Sequence, residues 1–270
     1  NSNIDIVQEG KVYNISDIRI RSIEGSKEIN SIYFNDSKAY LSCGFGIVVL
    51  DLKRKEIYDT YYVGENSSKI EVNAVTINDT SIFAATVNGL LYAPKNSTAL
   101  AASQTWKKVQ NIANQGKDNL EITNLLSLGN GKLLITLPIA QTTFCDAFTF
   151  DGEEWNKIFE NEYIKSLRLS EGKLIKIAYR SLNIYDVNNL VNGGEIYHLS
   201  DEWNPVHGIH LDINDAIIDS QDLWLAHQTK GLIRLKDYRN GTHNKSEHFP
   251  DGQKSNHIYS ITASEDGKIY

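Results

Sequence analysis

The strongest constraint on the fold of this chain is a pattern of short strands that recurs at a fixed spacing. In residues 29–51, three apolar or β-branched segments are separated by an Asn-Asp turn and a Gly-Phe-Gly turn, and the same order returns in residues 72–92. Three landmarks keep a spacing of 43 residues, namely Asn30 with Asn73, Tyr40 with Phe83, and Gly46 with Gly89. Short strands with a period of about 40–50 residues are typical of the four-stranded blades of a β-propeller.

The strand-and-turn pattern continues towards the C-terminus and predicts five blades. They occupy residues 29–64, 71–112, 121–160, 163–199 and 211–249. Two half-blades remain, an outer pair of strands in residues 1–20 and an inner pair in residues 256–270. Sharing one blade would close the ring without open sheet edges. We therefore predict an all-β propeller of six four-stranded blades, or seven if the natural chain continues, with little or no helix because helical periodicity is absent.

Composition and length agree with one globular propeller domain over residues 1–270. Of the 270 residues, 41% are hydrophobic and 23% are charged, which supplies enough apolar material for a large core. The chain begins in the middle of the pattern, and Tyr270 stops inside a predicted strand. We therefore interpret it as a fragment of a longer multidomain protein. It contains no run of about eighteen apolar residues, so no transmembrane segment is predicted in this chain.

Charge and cysteine content exclude several classes of function. The net charge of −7 argues against nucleic acid as a partner, since such proteins need a basic face. The longest basic cluster is 53–55, which we interpret as a solvated turn. Cys43 and Cys145 are too few for a disulfide framework and have no zinc-binding spacing, so we interpret both as small buried hydrophobic residues.

No constellation of residues predicts catalysis, a metal or a cofactor. His207 and His210 lie near Asp212, but a metal site needs three or four converging ligands, so a polar loop between blades is favoured. Carboxylates occur at predicted turns, where such groups usually cap the backbone. These turn carboxylates are Asp151, Glu153, Glu154, Asp219 and Asp222. Neither a Gly-x-Ser-x-Gly nucleophile elbow nor a phosphate-binding loop is present.

The remaining candidates for ligand binding are three asparagines that enter the innermost strands. Asn30, Asn73 and Asn124 would line the central channel, where their amides could hydrogen-bond a ligand. The alternative, which we favour, is that these amides satisfy backbone groups between blades. The four tryptophans are interpreted as blade packing and not as a sugar-stacking platform; they are Trp106, Trp155, Trp203 and Trp224.

Two segments carry a resemblance to known propeller families. Residues 39–64, AYLSCGFGIVVLDLKRKEIYDTYYVG, closely resemble the N-terminal propeller of PorZ-like proteins of the type IX (Por) secretion system of Gram-negative bacteria, and residues 12–18, VYNISDI, fit the same family. Residues 222–225, DLWL, with 230–232, KGL, are similar to the regulator-propeller repeat in periplasmic sensor regions of hybrid two-component kinases.

The resemblance implies a binding role without catalytic residues. PorZ-like proteins act at the cell surface, where they help to attach secreted proteins to anionic lipopolysaccharide together with partner proteins. The expected function is thus a non-enzymatic binding and assembly module, exported to the periplasm or the outer-membrane surface. Its expected partners are other secretion-system or envelope proteins and anionic lipopolysaccharide or glycan. Two alternatives remain: a periplasmic ligand-sensing propeller of a hybrid sensor kinase, and a propeller lyase or hydrolase, which needs an acid/base pair in the channel.

Overall fold

The computed structural model describes residues 3–8, 11–178, 181–190, 195–198, 213–229, 231–240, 246–249 and 260–261. Within these residues the protein is an all-β propeller built from five four-stranded antiparallel sheets, preceded by one two-stranded sheet. In each four-stranded sheet the strands lie side by side in chain order, as expected for propeller blades. We number these sheets blades 1 to 5.

The strand bounds follow the repeat found in the sequence. The N-terminal hairpin consists of β1 (Ile4–Gln8) and β2 (Lys11–Ile15). Blade 1 consists of β3 (Ile29–Asn35), β4 (Lys38–Cys43), β5 (Gly46–Asp51) and β6 (Glu56–Tyr61). Blade 2 consists of β7 (Val72–Ile77), β8 (Ser81–Thr86), β9 (Gly89–Pro94) and β10 (Lys107–Lys108). Blade 3 consists of β11 (Asn124–Gly129), β12 (Lys132–Pro138), β13 (Cys145–Phe150) and β14 (Trp155–Glu162).

The last two blades have the same order of strands. Blade 4 consists of β15 (Ser166–Ser170), β16 (Lys173–Ile177), β17 (Ser181–Asp186) and β18 (Glu195–His198). Blade 5 consists of β19 (Ile213–Asp219), β20 (Asp222–His227), β21 (Gly231–Leu235) and β22 (Ser246–Phe249). The fourth strand of blade 5 was not recognised from the sequence, because residues 241–249 are mostly polar and charged.

The predicted number of six or seven blades is wrong for the part of the chain that the structure describes, where five are formed. Strands β1 and β2 pair with each other in a separate two-stranded sheet. Only two residues separate them, so this local pairing closes a very short loop. Most of the predicted inner pair at 256–270 lies outside the described residues. The pair of strands predicted within residues 1–20 is formed, but a strand pattern does not specify which further strands such a pair will join.

The chain forms two compact units, 1–142 with 146–160, and 143–145 with 161–270. The first unit contains the N-terminal hairpin, blades 1 and 2 and most of blade 3, and the first strands of these blades lie beside one another in the order β3, β7, β11. The second unit contains blades 4 and 5, whose first strands β15 and β19 are also neighbours. Within each unit, therefore, successive blades meet along their first strands.

Both faces of blade 1 are buried at its third strand, β5. In β5, Ile47 and Val49 pack with side chains of blade 2, whereas Val48 and Leu50 pack with the N-terminal hairpin. All four are at most 2% exposed. The sequence of such a strand is a continuous run of apolar residues, without alternating polar residues, because neither face of the strand is exposed to solvent. Burying each of these side chains stabilises the fold by about 1.5–3 kcal/mol.

Helix is almost absent from the part of the chain that the structure describes, as the sequence predicted. The described residues contain one α-helical turn, α1 (Asp17–Ile20), whose Ile18 is buried against blade 1. Four 3-10 helices of three residues each lie within the described ranges, at 65–67, 103–105, 112–114 and 238–240.

The repeated glycines Gly46 and Gly89 are required by close approaches of the backbone. Each begins the third strand of its blade, with φ of +143° and +117°. A Cβ atom at Gly46 would lie 2.4 Å from the carbonyl oxygen of Tyr61, and one at Gly89 would lie 2.2 Å from that of Asp118. No side chain fits at either position, which explains why this landmark keeps its spacing in the sequence.

We predict that Gly89→Ala lowers the free energy of unfolding by about 3 kcal/mol or more, because the added Cβ meets a backbone oxygen and the φ angle is strained. Gly116→Ala is the control, since Gly116 also has a positive φ (+64°) but nothing within 4 Å of an added Cβ. The control should cost about 1 kcal/mol. Urea unfolding measures both, and equal losses for the two variants would contradict the explanation.

Candidate functional site

Asn30 and Asn73, two of the three predicted ligand-binding residues, link successive blades. The pairing register shifts between Ile29 and Ser31 and again between Val72 and Ala74, so that each asparagine is the extra residue of a β-bulge. Asn30 Nδ2 donates to the carbonyl of Val72 at 2.9 Å, and Asn73 Nδ2 donates to the carbonyl of Ile122 at 2.9 Å. These bonds satisfy backbone carbonyl groups between blades, which is the interpretation that we favoured from the sequence.

Asn124 differs from the other two. It pairs in register with Thr136, and its Nδ2 donates to Thr136 Oγ1 at 2.9 Å, within its own blade. The three asparagines therefore do not form one equivalent set. Binding of a ligand by their carboxamides stays a prediction.

A fourth asparagine at the bulge position was missed in the sequence. In β19 the register shifts between Ile213 and Asp215, which places Asn214 where Asn30 and Asn73 lie in their blades. The signal was present, because each of these asparagines follows a β-branched residue at the start of a first strand.

The residue after this bulge, Asp215, is the centre of a buried polar network in the second unit. It is 2% exposed. Its Oδ1 accepts from Arg168 Nε at 2.9 Å, and its Oδ2 accepts from Arg168 Nη2 at 2.5 Å, from Ser260 Oγ at 2.8 Å and from the backbone N–H of Ile261 at 3.0 Å. One carboxylate thus joins blade 4, blade 5 and the chain that follows blade 5. Because these partners all belong to the strands and to the chain that follows them, we interpret the network as a connection between blades.

We predict that Asp215→Ala lowers the free energy of unfolding by about 3 kcal/mol, because it leaves the Arg168 guanidinium without its buried partner. The loss should be smaller when Arg168→Ala is already present, since both substitutions remove the same interaction. Hydrogen exchange of β15 and β19 with urea unfolding provides the measurement. As a control, Glu56→Ala breaks the exposed pair with Arg54 and should change stability by less than about 1 kcal/mol.

The described residues contain no group of three or more His, Cys, Asp or Glu side chains placed to hold a metal ion. The histidines 207 and 210 and Asp212 lie outside those residues. Both cysteines are buried, and neither forms a disulfide. Burial raises the pKa of the Cys43 thiol to about 12, so this thiol stays protonated at neutral pH and is a poor nucleophile. None of the helices described is long and apolar enough to span a membrane.

Turn carboxylates after the third strand of a blade cap the backbone. Asp151 Oδ1 accepts from the N–H groups of Glu154 at 2.8 Å and Glu153 at 3.0 Å, and Asp51 and Asp186 accept equivalent bonds in their blades. These backbone N–H groups lower the pKa of all three carboxyl groups below the ordinary value. The turn role expected for Asp151 from the sequence is therefore seen, with Asp51 and Asp186 as further members of the set.

We predict that these three caps make stability depend on pH below about pH 4. Because their folded pKa values are lower than the unfolded value of about 3.9, the caps stabilise fully above that pH and lose this contribution as pH falls through the folded values. The triple variant Asp51→Ala/Asp151→Ala/Asp186→Ala should be less stable at pH 7 and should lose less stability on acidification. Urea midpoints between pH 7 and pH 2.5 measure this. Glu65→Ala, at an exposed loop, should leave the pH profile unchanged.

The tryptophans within the described residues pack as predicted. Trp106 is 7% exposed and donates from Nε1 to the carbonyl of Leu100 at 2.9 Å. Trp155 is equally buried and stacks on Phe150, with ring centroids 4.5 Å apart. The ring of Trp224 lies beneath the Arg234 guanidinium, which also bonds Asp222. Trp203 lies outside the described residues.

A concave polar pocket lies in the first unit, at the end of the blades where their first and second strands turn. Its volume is about 210 Å³, and it is partly open to solvent. Three turns contribute, after β3, β7 and β11, together with Lys95 at the end of β9. The lining side chains are Asn35, Ile77, Asn78, Asp79, Lys95, Ser127 and Asn130. Sequence reasoning missed this pocket, because each of its residues is typical of an ordinary turn.

Solved structures of other proteins have the same fold. The extracellular domain of the putative hybrid two-component system BT4673 from B. thetaiotaomicron is 15% identical with a TM-score of 0.59, over 89% of this chain and 30% of that one. A luciferin-regenerating enzyme is 12% identical with a TM-score of 0.60, over 88% and 80%. The chain spans about a third of the length of that extracellular domain. At these identities the similarity shows the fold alone.

PorZ itself also matches. The structure of this essential bacterial surface component of the type IX secretion system of Porphyromonas gingivalis is 15% identical over 99% of this chain and 47% of that one, with a TM-score of 0.35. No curated protein matches the chain. The family model of the PorZ N-terminal β-propeller domain of the type IX secretion system matches residues 1–107. The resemblance inferred from residues 12–18 and 39–64 is thereby confirmed for this first part of the chain.

Proposed function

We propose that this chain is part of an exported, non-enzymatic binding and assembly module that helps to attach type IX-secreted proteins to cell-surface lipopolysaccharide. The observation that carries the proposal is the match of residues 1–107 to the PorZ N-terminal propeller family. The chain is a β-propeller, a fold that supports many unrelated functions. The family match, and not the fold, therefore indicates the function.

The chemistry of the described residues supports a binding role. The carboxylates of Asp51, Asp151 and Asp186 cap backbone groups, and Asp215 joins blades. A glycosidase or lyase needs a pair of acid and base groups across a cleft, and these carboxylates already have structural partners. The polar pocket, by contrast, offers donors and acceptors on turns held by rigid sheets, which is a common arrangement for recognition.

The expected partners are secretion-system or envelope proteins and anionic lipopolysaccharide, in the periplasm or at the outer-membrane surface. A second candidate, a periplasmic ligand-sensing propeller of a hybrid two-component kinase, is supported by the similarity of residues 222–225 to the regulator repeat. The complete sequence of the natural full-length protein separates the two, because only a hybrid sensor kinase carries a transmembrane helix and a kinase domain.

We predict saturable binding of the purified chain to immobilised anionic lipopolysaccharide from a type IX-secreting bacterium. The control is the same lipopolysaccharide without its polysaccharide, which should bind at least about tenfold more weakly, a difference of about 1.4 kcal/mol. Biolayer interferometry provides the measurement. Equal binding to both surfaces, or binding to neither, would contradict the attachment role.

A further inference from the structure

The polar pocket lies among residues that the inter-blade contacts do not use. Asp79, Lys95, Ser127 and Asn130 line it, and their side chains make no hydrogen bond or ion pair with any other part of the chain that the structure describes. Asn78 differs, because its Oδ1 accepts from the N–H groups of Thr80 at 3.0 Å and Ser81 at 2.8 Å and thereby shapes the turn. The four unengaged groups come from three parts of the chain, after β7, after β9 and at the hairpin of β11 and β12, and they line one space, so they are available to a ligand.

We propose that this pocket binds a neutral, hydroxyl-rich saccharide. The inference deepens the proposed function, on which it rests, by naming a site and an uncharged class of sugar. A sugar hydroxyl both donates and accepts hydrogen bonds. The pocket offers acceptors on the Asp79 carboxylate and donors on the Lys95 ammonium, and the Asn130 carboxamide supplies both.

The charge of the pocket selects against ions. One carboxylate and one ammonium give the lining a formal charge of zero, so an anion is attracted by Lys95 but repelled by Asp79. A free amino acid would have to rely on two ion pairs, but Asp79 and Lys95 are both exposed, where such pairs contribute little. Ile77 is the single apolar side chain in the lining, which leaves little surface for an apolar ligand.

The pocket is held in shape by local backbone geometry. Asn130 and Gly131 have φ of +50° and +76°, as in a type I′ hairpin turn. Tyr33 Oη donates to the carbonyl of Ile77 at 3.3 Å, which ties blade 1 to blade 2 at the pocket lining. A preformed site loses less conformational entropy on binding.

The test is an array of neutral hexose and N-acetylhexosamine oligosaccharides, printed beside counterparts that carry uronic acid or phosphate. The 270-residue chain should bind neutral oligosaccharides. Asp79→Ala and Asn130→Gly should each weaken this binding at least tenfold, and Asn130→Gly keeps the turn because Gly-Gly also forms type I′. Glu65→Ala and Lys69→Ala are controls on an exposed loop that precedes β7, at the end of blade 2 away from the pocket, and should bind as the parent does.

Each outcome decides the proposal. No binding of neutral oligosaccharides, binding of charged ones alone, or equal binding by the pocket variants would overturn it, provided that circular dichroism shows the variants folded. Binding of lipopolysaccharide that survives the pocket substitutions would contradict the pocket but leave the attachment role intact. Pocket-dependent binding of a neutral saccharide without binding of lipopolysaccharide would support the pocket proposal and contradict the attachment role.

Discussion

Burial of apolar side chains between facing blades is the interaction on which the rest of this structure depends. A blade such as blade 1 has apolar residues on both faces, with Ile47 towards blade 2 and Val48 towards the N-terminal hairpin. A sheet of this kind is not stable alone, because either face would expose a large apolar area to water. Each blade therefore depends on its neighbours, as repeats do in other repetitive proteins.

Polar contacts between blades supplement this apolar packing with hydrogen bonds, which depend on direction. In the first unit, neutral carboxamides of Asn30 and Asn73 bond the backbone of the next blade. In the second unit, the buried carboxylate of Asp215 and the guanidinium of Arg168 connect neighbouring first strands. The two kinds of contact differ in their free energy of desolvation, since removing a charge from water is far more unfavourable than removing an amide. The six hydrogen bonds accepted by Asp215, including those from Ser166 and Ala216, offset that cost.

Sequence reasoning correctly predicted the features that depend on residues close together in the chain. The strands of blades 1 and 2 and the Gly46 and Gly89 landmarks follow from local chemistry, since turns and close backbone approaches restrict which residues fit. The blade count was wrong because it required pairing between residues 1–20 and 256–270, and strand patterns do not encode partners. Asp215 was missed for a similar reason, because its partners Arg168 and Ser260 are 47 and 45 residues away.

The candidate site shows the same limit more sharply. Asp79 and Asp151 look alike in the sequence, since each stands in a polar turn between strands. In the structure Asp151 accepts two backbone hydrogen bonds, whereas the Asp79 side chain faces a pocket without a bonding partner among the described residues. A carboxylate that caps its own turn loses acceptor capacity for a ligand, and one that does not cap retains it. In a scaffold whose turns are rich in Asn and Asp, this difference in hydrogen bonding separates candidate recognition residues from structural ones, and it becomes visible only when the turn geometry is known.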